Sequence, residues 1–147
     1  MFLNVKTIGG TKRRVFISFD PERGRPIRDF FFNQGRREDS TWTVKNWSEP
    51  FEEETGMWIS QTTGRIKQAE VLVVLLGPNT FRCPNVLKEV TIAQILDKNI
   101  YQIIPFGAGS PHFIPNAGRV IRWEWDNIKR AIATSPSRWE KAKNIRL

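Results

Sequence analysis

The chain has 147 residues and a net charge of +8, long enough for one hydrophobic core and too short for two independent ones. With 39% apolar and 26% charged residues it reads as a globular domain, and its longest apolar run, residues 71–76, cannot span a bilayer. One cysteine, Cys83, and one histidine, His112, exclude an internal disulfide framework and a Cys/His zinc site.

In chain order, Val15-Phe16-Ile17-Ser18-Phe19 reads as a buried strand closed by the turn Asp20-Pro21-Glu22-Arg23-Gly24. Residues 26–35 predict a short helix with Ile27, Phe30 and Phe31 on one face and Gly35 as its stop. Residues 41–47, β-branched and aromatic, predict a second strand. Over 51–69 the spacing of Ile59, Thr62, Ile66 and Ala69 predicts an interrupted helix with an inward stripe. Residues 71–76 lack alternation, as expected of a central parallel strand covered on both faces. Asn85 reads as the cap of the next helix, with Val86, Val90, Ala93 and Leu96 inward. A strand over 100–105, a Gly/Pro-rich loop to Gly118, an edge strand over 119–123 and a helix capped by Asp126 complete a domain over 1–134. A basic tail, 135–147, carries Trp139.

Strands alternating with helices predict a three-layer α/β domain, a parallel sheet of about five strands with helices on both faces. Ligands of such sheets bind beyond the carboxyl ends of the strands. That rule selects the loops holding Ser18, Phe19, Asp20, Trp47, Ser48, Asn79, Cys83 and Glu89. No G-x-G-x-x-G follows the first strand and no G-x-x-x-x-G-K-[ST] occurs, which speaks against a standard dinucleotide site and a P-loop. Basic residues cluster in 12–37 and 119–147, a footprint open to an anionic ligand, but no nucleic-acid-binding signature accompanies it. No long apolar h-region follows Met1, so the expected location is the cytoplasm.

Val15-Phe16-Ile17-Ser18-Phe19-Asp20 resembles the opening strand of TIR domains. Residues 71–90, a strand followed by Gly77-Pro78-Asn79-Thr80 and a helix bearing Glu89, resemble the bacterial TIR-like branch that includes the TIR proteins of Thoeris anti-phage systems. Val120-Ile121-Arg122-Trp123-Glu124-Trp125-Asp126 is similar to that branch as well. The resemblance covers about residues 13 to 133. It implies a flavodoxin-like fold and an enzyme for which NAD is substrate rather than cofactor. Such an enzyme breaks the nicotinamide–ribose bond and forms an ADP-ribose-derived, cyclic or otherwise modified signalling nucleotide. It implies Glu89 as the catalytic carboxylate, with Ser18, Phe19 and Asp20 on the pocket rim. An effector reached through the diffusible product, and self-association into a homo-oligomer, would be its partners. The sequence departs from the commoner TIR pattern, Ser-x-Trp-Cys ahead of the glutamate: Cys83 stands at the Ser position and Asn85 at the Trp position.

Elementary chemistry agrees with this reading. Nicotinamide is a cationic pyridinium and departs neutral, so one carboxylate suffices where ordinary glycosidases need two. It would stabilise the oxocarbenium-like ribose, and a place in the first turns of a helix would favour its ionised form. Phe19 or Trp47 could stack on a ring of the substrate, and Arg23, Arg25 or Arg82 could meet the pyrophosphate. Three other readings compete: a TIR-like interaction scaffold, a nucleoside deoxyribosyltransferase-like enzyme, and a nucleic-acid binder whose affinity collapses with salt.

Overall fold

The computed structural model describes residues 12–51 and 56–136. The Glu52-Glu53-Glu54 stretch and the tail from residue 137, including Trp139, lie outside the described residues. The elements in chain order are β1 (Arg13–Ser18), α1 (Arg25–Gly35), β2 (Trp42–Trp47), α2 (Met57–Lys67), β3 (Val71–Leu75), α3 (Pro84–Ile95), β4 (Asn99–Ile104), β5 (Arg119–Arg122) and α4 (Trp125–Ala133). A 3-10 turn, Thr80–Arg82, precedes α3. The strands form one sheet in the order β2-β1-β3-β4-β5, all pairs parallel. This is the expected three-layer, flavodoxin-like α/β architecture.

Because strand side chains alternate, the sheet has two cores. Val15, Ile17, Val71, Val73, Leu75 and Ile103 face α1 and α4 and pack with Phe31, Ile128 and Ile132. Phe16, Leu72, Val74 and Leu76 face α2 and α3 and pack with Ile66, Val86, Val90 and Ala93. Ser18, two residues on from Phe16, therefore falls on the α3 face.

Several expected details differ. Phe31 alone of the α1 trio is buried, and Phe30 is exposed against the Trp123 ring. Trp58 takes the inward place expected of Ile59, because α2 begins at Met57 behind Gly56 and its face is set from there. Glu124, not Asp126, caps α4, its carboxylate accepting from the Asn127 N–H at 2.8 Å. Ser135, expected in the basic tail, is buried, and its hydroxyl lies 2.9 Å from Tyr101 Oη. The domain therefore reaches at least that far.

A bulge in β2 decides which way the end of that strand faces. Val15 pairs with Val44 but Phe16 pairs with Asn46, leaving Lys45 as an extra residue in β2. The bulge reverses the alternation of side chains along the rest of the strand. Trp42 and Val44 pack on the α1 side, and after the bulge Trp47 does too. Ser48 is thereby turned to the α3 side, where without the bulge it would follow Trp42 and Val44.

The loop after β4 is held by Gln102, fully buried on the α3 side. Its Nε2 donates to the carbonyls of Ile114 (2.8 Å) and Ala117 (3.2 Å), and its Oε1 accepts from the Ile114 N–H (2.8 Å). Gln102→Leu would leave those three backbone groups unpaired. It is expected to cost about 3 kcal/mol or more in urea unfolding, and a loss below 1 kcal/mol would show that the loop does not depend on this clamp.

Candidate functional site

In a sheet of this order, β1 and β3 flank the point where successive connections run in opposite directions, and the crevice opens beyond their carboxyl ends. Three elements converge there. Ser18 ends β1, Ser48 directly follows β2, and Glu89 lies on α3, which starts after the β3 loop. Glu89 comes three residues after Val86 and four before Ala93, so it sits within the buried stripe of α3. Its side chain has no exposed surface.

Oε1 of Glu89 accepts from Ser18 Oγ at 2.6 Å and from Ser48 Oγ at 2.7 Å. Asn85, one helical turn earlier, presents Nδ2 at 3.4 Å from each carboxylate oxygen and donates to the Phe19 carbonyl at 3.2 Å. Ser48 also ties the strand ends together. Its N–H donates to the Ile17 carbonyl (2.9 Å), and its Oγ accepts from the Phe19 N–H (3.0 Å).

Burial pushes the Glu89 carboxyl up to about 8, against the opposing pull of the hydrogen bonds from Ser18, Ser48 and Asn85. This corrects the expectation of a carboxylate kept ionised by a helix N-terminus. Glu89 is the sixth residue of α3, beyond the first turn where that field acts, and desolvation dominates.

The two serines differ in a way that matters for a titrating group. Ser18 Oγ has only Glu89 as acceptor among the described residues, whereas Ser48 Oγ can also turn to the Ile17 carbonyl, at 3.4 Å. Ser48 can thus donate to the carboxylate or accept from the protonated acid. Ser18→Ala, which removes a donor that favours the charged form, is expected to raise the Glu89 midpoint by about one pH unit. Ser48→Ala should raise it less. Carboxyl-carbon NMR titration of the two variants checks the order.

The other candidate residues of the sequence are placed differently. The Phe19 ring is buried in the α1-side core and is not free to stack on a ligand; only its backbone joins the site. Trp47 is partly buried on the same side, edge-on to Phe32. Asp20 Oδ1 accepts from the Glu22 N–H at 3.0 Å and serves the turn. Asn79 Oδ1 accepts from Arg82 Nη2 at 2.6 Å, so both are engaged with each other. Arg25 Nε donates to the Pro21 carbonyl, and Arg23 is exposed. Cys83 is half-buried, with Sγ 2.8 Å from Asn85 Oδ1, and burial pushes its thiol up. It is an unactivated thiol.

One residue joins the site that the sequence reads otherwise, and a second supports it from the opposite face of the sheet. Asn85 reads as a cap, but Pro84 occupies the first helical position and Cys83 the cap, with no side-chain cap bond, so Asn85 points inward. Its spacing of four from Glu89 is the signal that would have found it. Arg28 holds its guanidinium 5.3 Å from the ring centroids of both Phe19 and Trp47 and pairs with Asp29 at 2.7 Å. It braces the two strand ends from the α1 side. Among the described residues no group of His, Cys, Asp and Glu could hold a metal ion, and no helix is long and apolar enough to cross a membrane.

No protein-family model matches the sequence, and no curated protein matches it. Among solved structures, the crystal structure of a conserved protein from Enterococcus faecalis V583 is similar over 83% of this chain and 98% of that chain, with a TM-score of 0.57 and 12% identity. The two chains share one fold.

Proposed function

We propose that this protein is a TIR-like, NAD-cleaving enzyme of the cytoplasm in which Glu89 stabilises the ribosyl cation left when nicotinamide departs, yielding an ADP-ribose-derived signalling nucleotide in anti-phage defence. One observation carries the reading. A wholly buried carboxyl group stands at the carboxyl edge of the sheet, held by side chains from β1, from the end of β2 and from its own helix. A carboxyl buried this deeply is costly to ionise, and a perturbed carboxyl at a switch point is where function is expected.

In this mechanism the positive charge of the pyridinium, and then of the ribose, lies against the Glu89 carboxylate in a water-poor site, where the attraction is strongest. Ser18 and Ser48 keep Oε1 occupied. Cationic substrate favours the ionised form, so binding NAD drives the proton off a carboxyl that otherwise retains it at neutral pH. Because Glu89 has no exposed surface, substrate reaches it only once the covering side chains part. The reading therefore assigns turnover to an opened or assembled form and predicts activity that rises with protein concentration.

The test is incubation with NAD at low and high protein concentration, wild type beside Glu89→Gln, with mass analysis of products. Glu89-dependent nicotinamide release supports the reading, and its partner peak identifies the nucleotide. An active assembly whose Glu89→Gln variant releases nicotinamide at the wild-type rate overturns it.

A further inference from the structure

We propose that Asn85 is the positioning residue of this site, its single amide nitrogen holding both oxygens of Glu89 and the carbonyl of Phe19 and so locking the carboxylate to the end of β1. The inference rests on the reading of Glu89 as the catalytic group, and it concerns how that group is aimed.

The geometry assigns the amide at both ends. Nδ2 lies 3.2 Å from the Phe19 carbonyl, which can only accept, and Oδ1 lies 2.8 Å from the Cys83 thiol, which can donate. Of the two hydrogens on Nδ2, one goes to Phe19 and the other is shared by the carboxylate oxygens, each 3.4 Å away. Ser18 and Ser48 both converge on Oε1. With Oε1 alone held, the carboxylate could still swing about that contact. Among the described residues only Asn85 reaches Oε2, and so it sets the plane of the group.

Asn85 is itself buried, and its amide does not cap the helix. A buried asparagine inside a helix is unfavourable unless its amide is satisfied in this way. The titratable group beside the cluster is Cys83, ahead of α3, whose thiol is pushed up first by burial and also by the negative charges of Asp20 and Glu89. From β2 the cluster meets Ser48, and the rest of its layer is apolar, with Phe16, Val86 and Val90.

The test titrates Glu89 by carboxyl-carbon NMR in the full chain without NAD, in wild type, Asn85→Ala and Asn85→Asp. Nicotinamide release is followed across pH on the same samples. Asn85→Ala is expected to move the Glu89 midpoint up by about one pH unit. It should lower kcat roughly 10- to 100-fold with KM changed less than about threefold, the signature of misaimed chemistry rather than lost binding. Asn85→Asp, equal in size, is expected to give two coupled titrations in place of one, and it decides the matter should the alanine variant fail to fold. A Glu89 titration unmoved in the folded variants, or a raised KM at unchanged kcat, overturns the proposal. Should wild type release no nicotinamide at all, the NAD reading fails alone, and the NMR titration still decides whether Asn85 holds the carboxylate.

Discussion

Glu89→Gln is expected to lower nicotinamide release by roughly 10³-fold or more, about 4 kcal/mol of transition-state stabilisation, while making the protein more stable at alkaline pH. The two effects have one cause. Glutamine keeps an oxygen that can accept from Ser18 and Ser48, so the two short hydrogen bonds survive and only the 3.4 Å contact of Asn85 with the second oxygen is lost, but it carries no charge to set against a ribosyl cation. Loss of activity together with gain of stability separates this outcome from simple misfolding, which would lower both.

The pH dependence gives the sign. Glu89 has a carboxyl pushed up to about 8 by burial, against 4.5 for the ordinary group. The folded state therefore binds the proton more tightly than the unfolded chain. The stability this contributes is complete below about 4.5 and is lost as pH rises through about 8. In wild type the loss amounts to a few kcal/mol by pH 9. In Glu89→Gln that component vanishes, so urea unfolding should show wild type losing ground to the variant progressively from about pH 4.5 to about 8, with the variant the more stable above that. Activity runs the other way. The working form is the carboxylate, so kcat/KM of the wild type should climb about tenfold from pH 7 to a plateau near pH 9. A flat rate profile over that range would mean that Glu89 is already ionised when substrate arrives.

How much of this can be read from residues alone depends on what sets each position. The sheet is legible because its central strand, residues 71–75, is an unbroken apolar run, and its neighbours are divided by turn residues such as Asp20-Pro21 and Gly77-Pro78. Ser18 on the α3 face follows from simple alternation after Phe16. Glu89 shares the spacing of Val86, Val90 and Ala93, but a glutamate early in a helix reads as an ionised, dipole-favoured group, so its complete burial is the part the residues do not announce. Ser48 is not legible as a partner of Glu89, because the extra residue Lys45 reverses the phase of β2 and no local signal marks the bulge. Asn85 misleads for a related reason. An asparagine next to a helix-starting proline looks like a cap, and only the spacing of four to Glu89 says otherwise. Phe19 at a strand end looks like a ring facing a ligand, whereas alternation after Val15 and Ile17 sends it to the other core. Ser48 depends on register against a neighbour, which the sequence does not show; Phe19 and Asn85 follow their own element's periodicity, but a strand-end position and a cap-like neighbour mask it.

Gly118→Ala is expected to be the most damaging small substitution in the sheet, at about 4 kcal/mol. Gly118 has φ +88 and opens β5; a Cβ there would stand 2.1 Å from the Ile100 carbonyl oxygen and 2.7 Å from its carbon. Both are backbone atoms of β4, so no side chain can turn away to make room. Relief requires β4 and β5 to separate where Tyr101 pairs with Arg119. Two other glycines divide the effect into parts. Gly56 also has positive φ, +68, but among the described residues nothing lies within 4 Å of its added Cβ, so Gly56→Ala should cost only the backbone strain, about 1 kcal/mol. Gly64, inside α2, has neither a positive φ nor, among the described residues, a neighbour within 4 Å, so Gly64→Ala should stabilise by roughly 0.5–1 kcal/mol. Urea unfolding of the three variants therefore measures strain from the second and helix propensity from the third, and leaves the steric part for the first. Equal losses at Gly118 and Gly56 would show that β5 can move away from Ile100 at little cost, and that the edge of the sheet is not rigidly seated on β4.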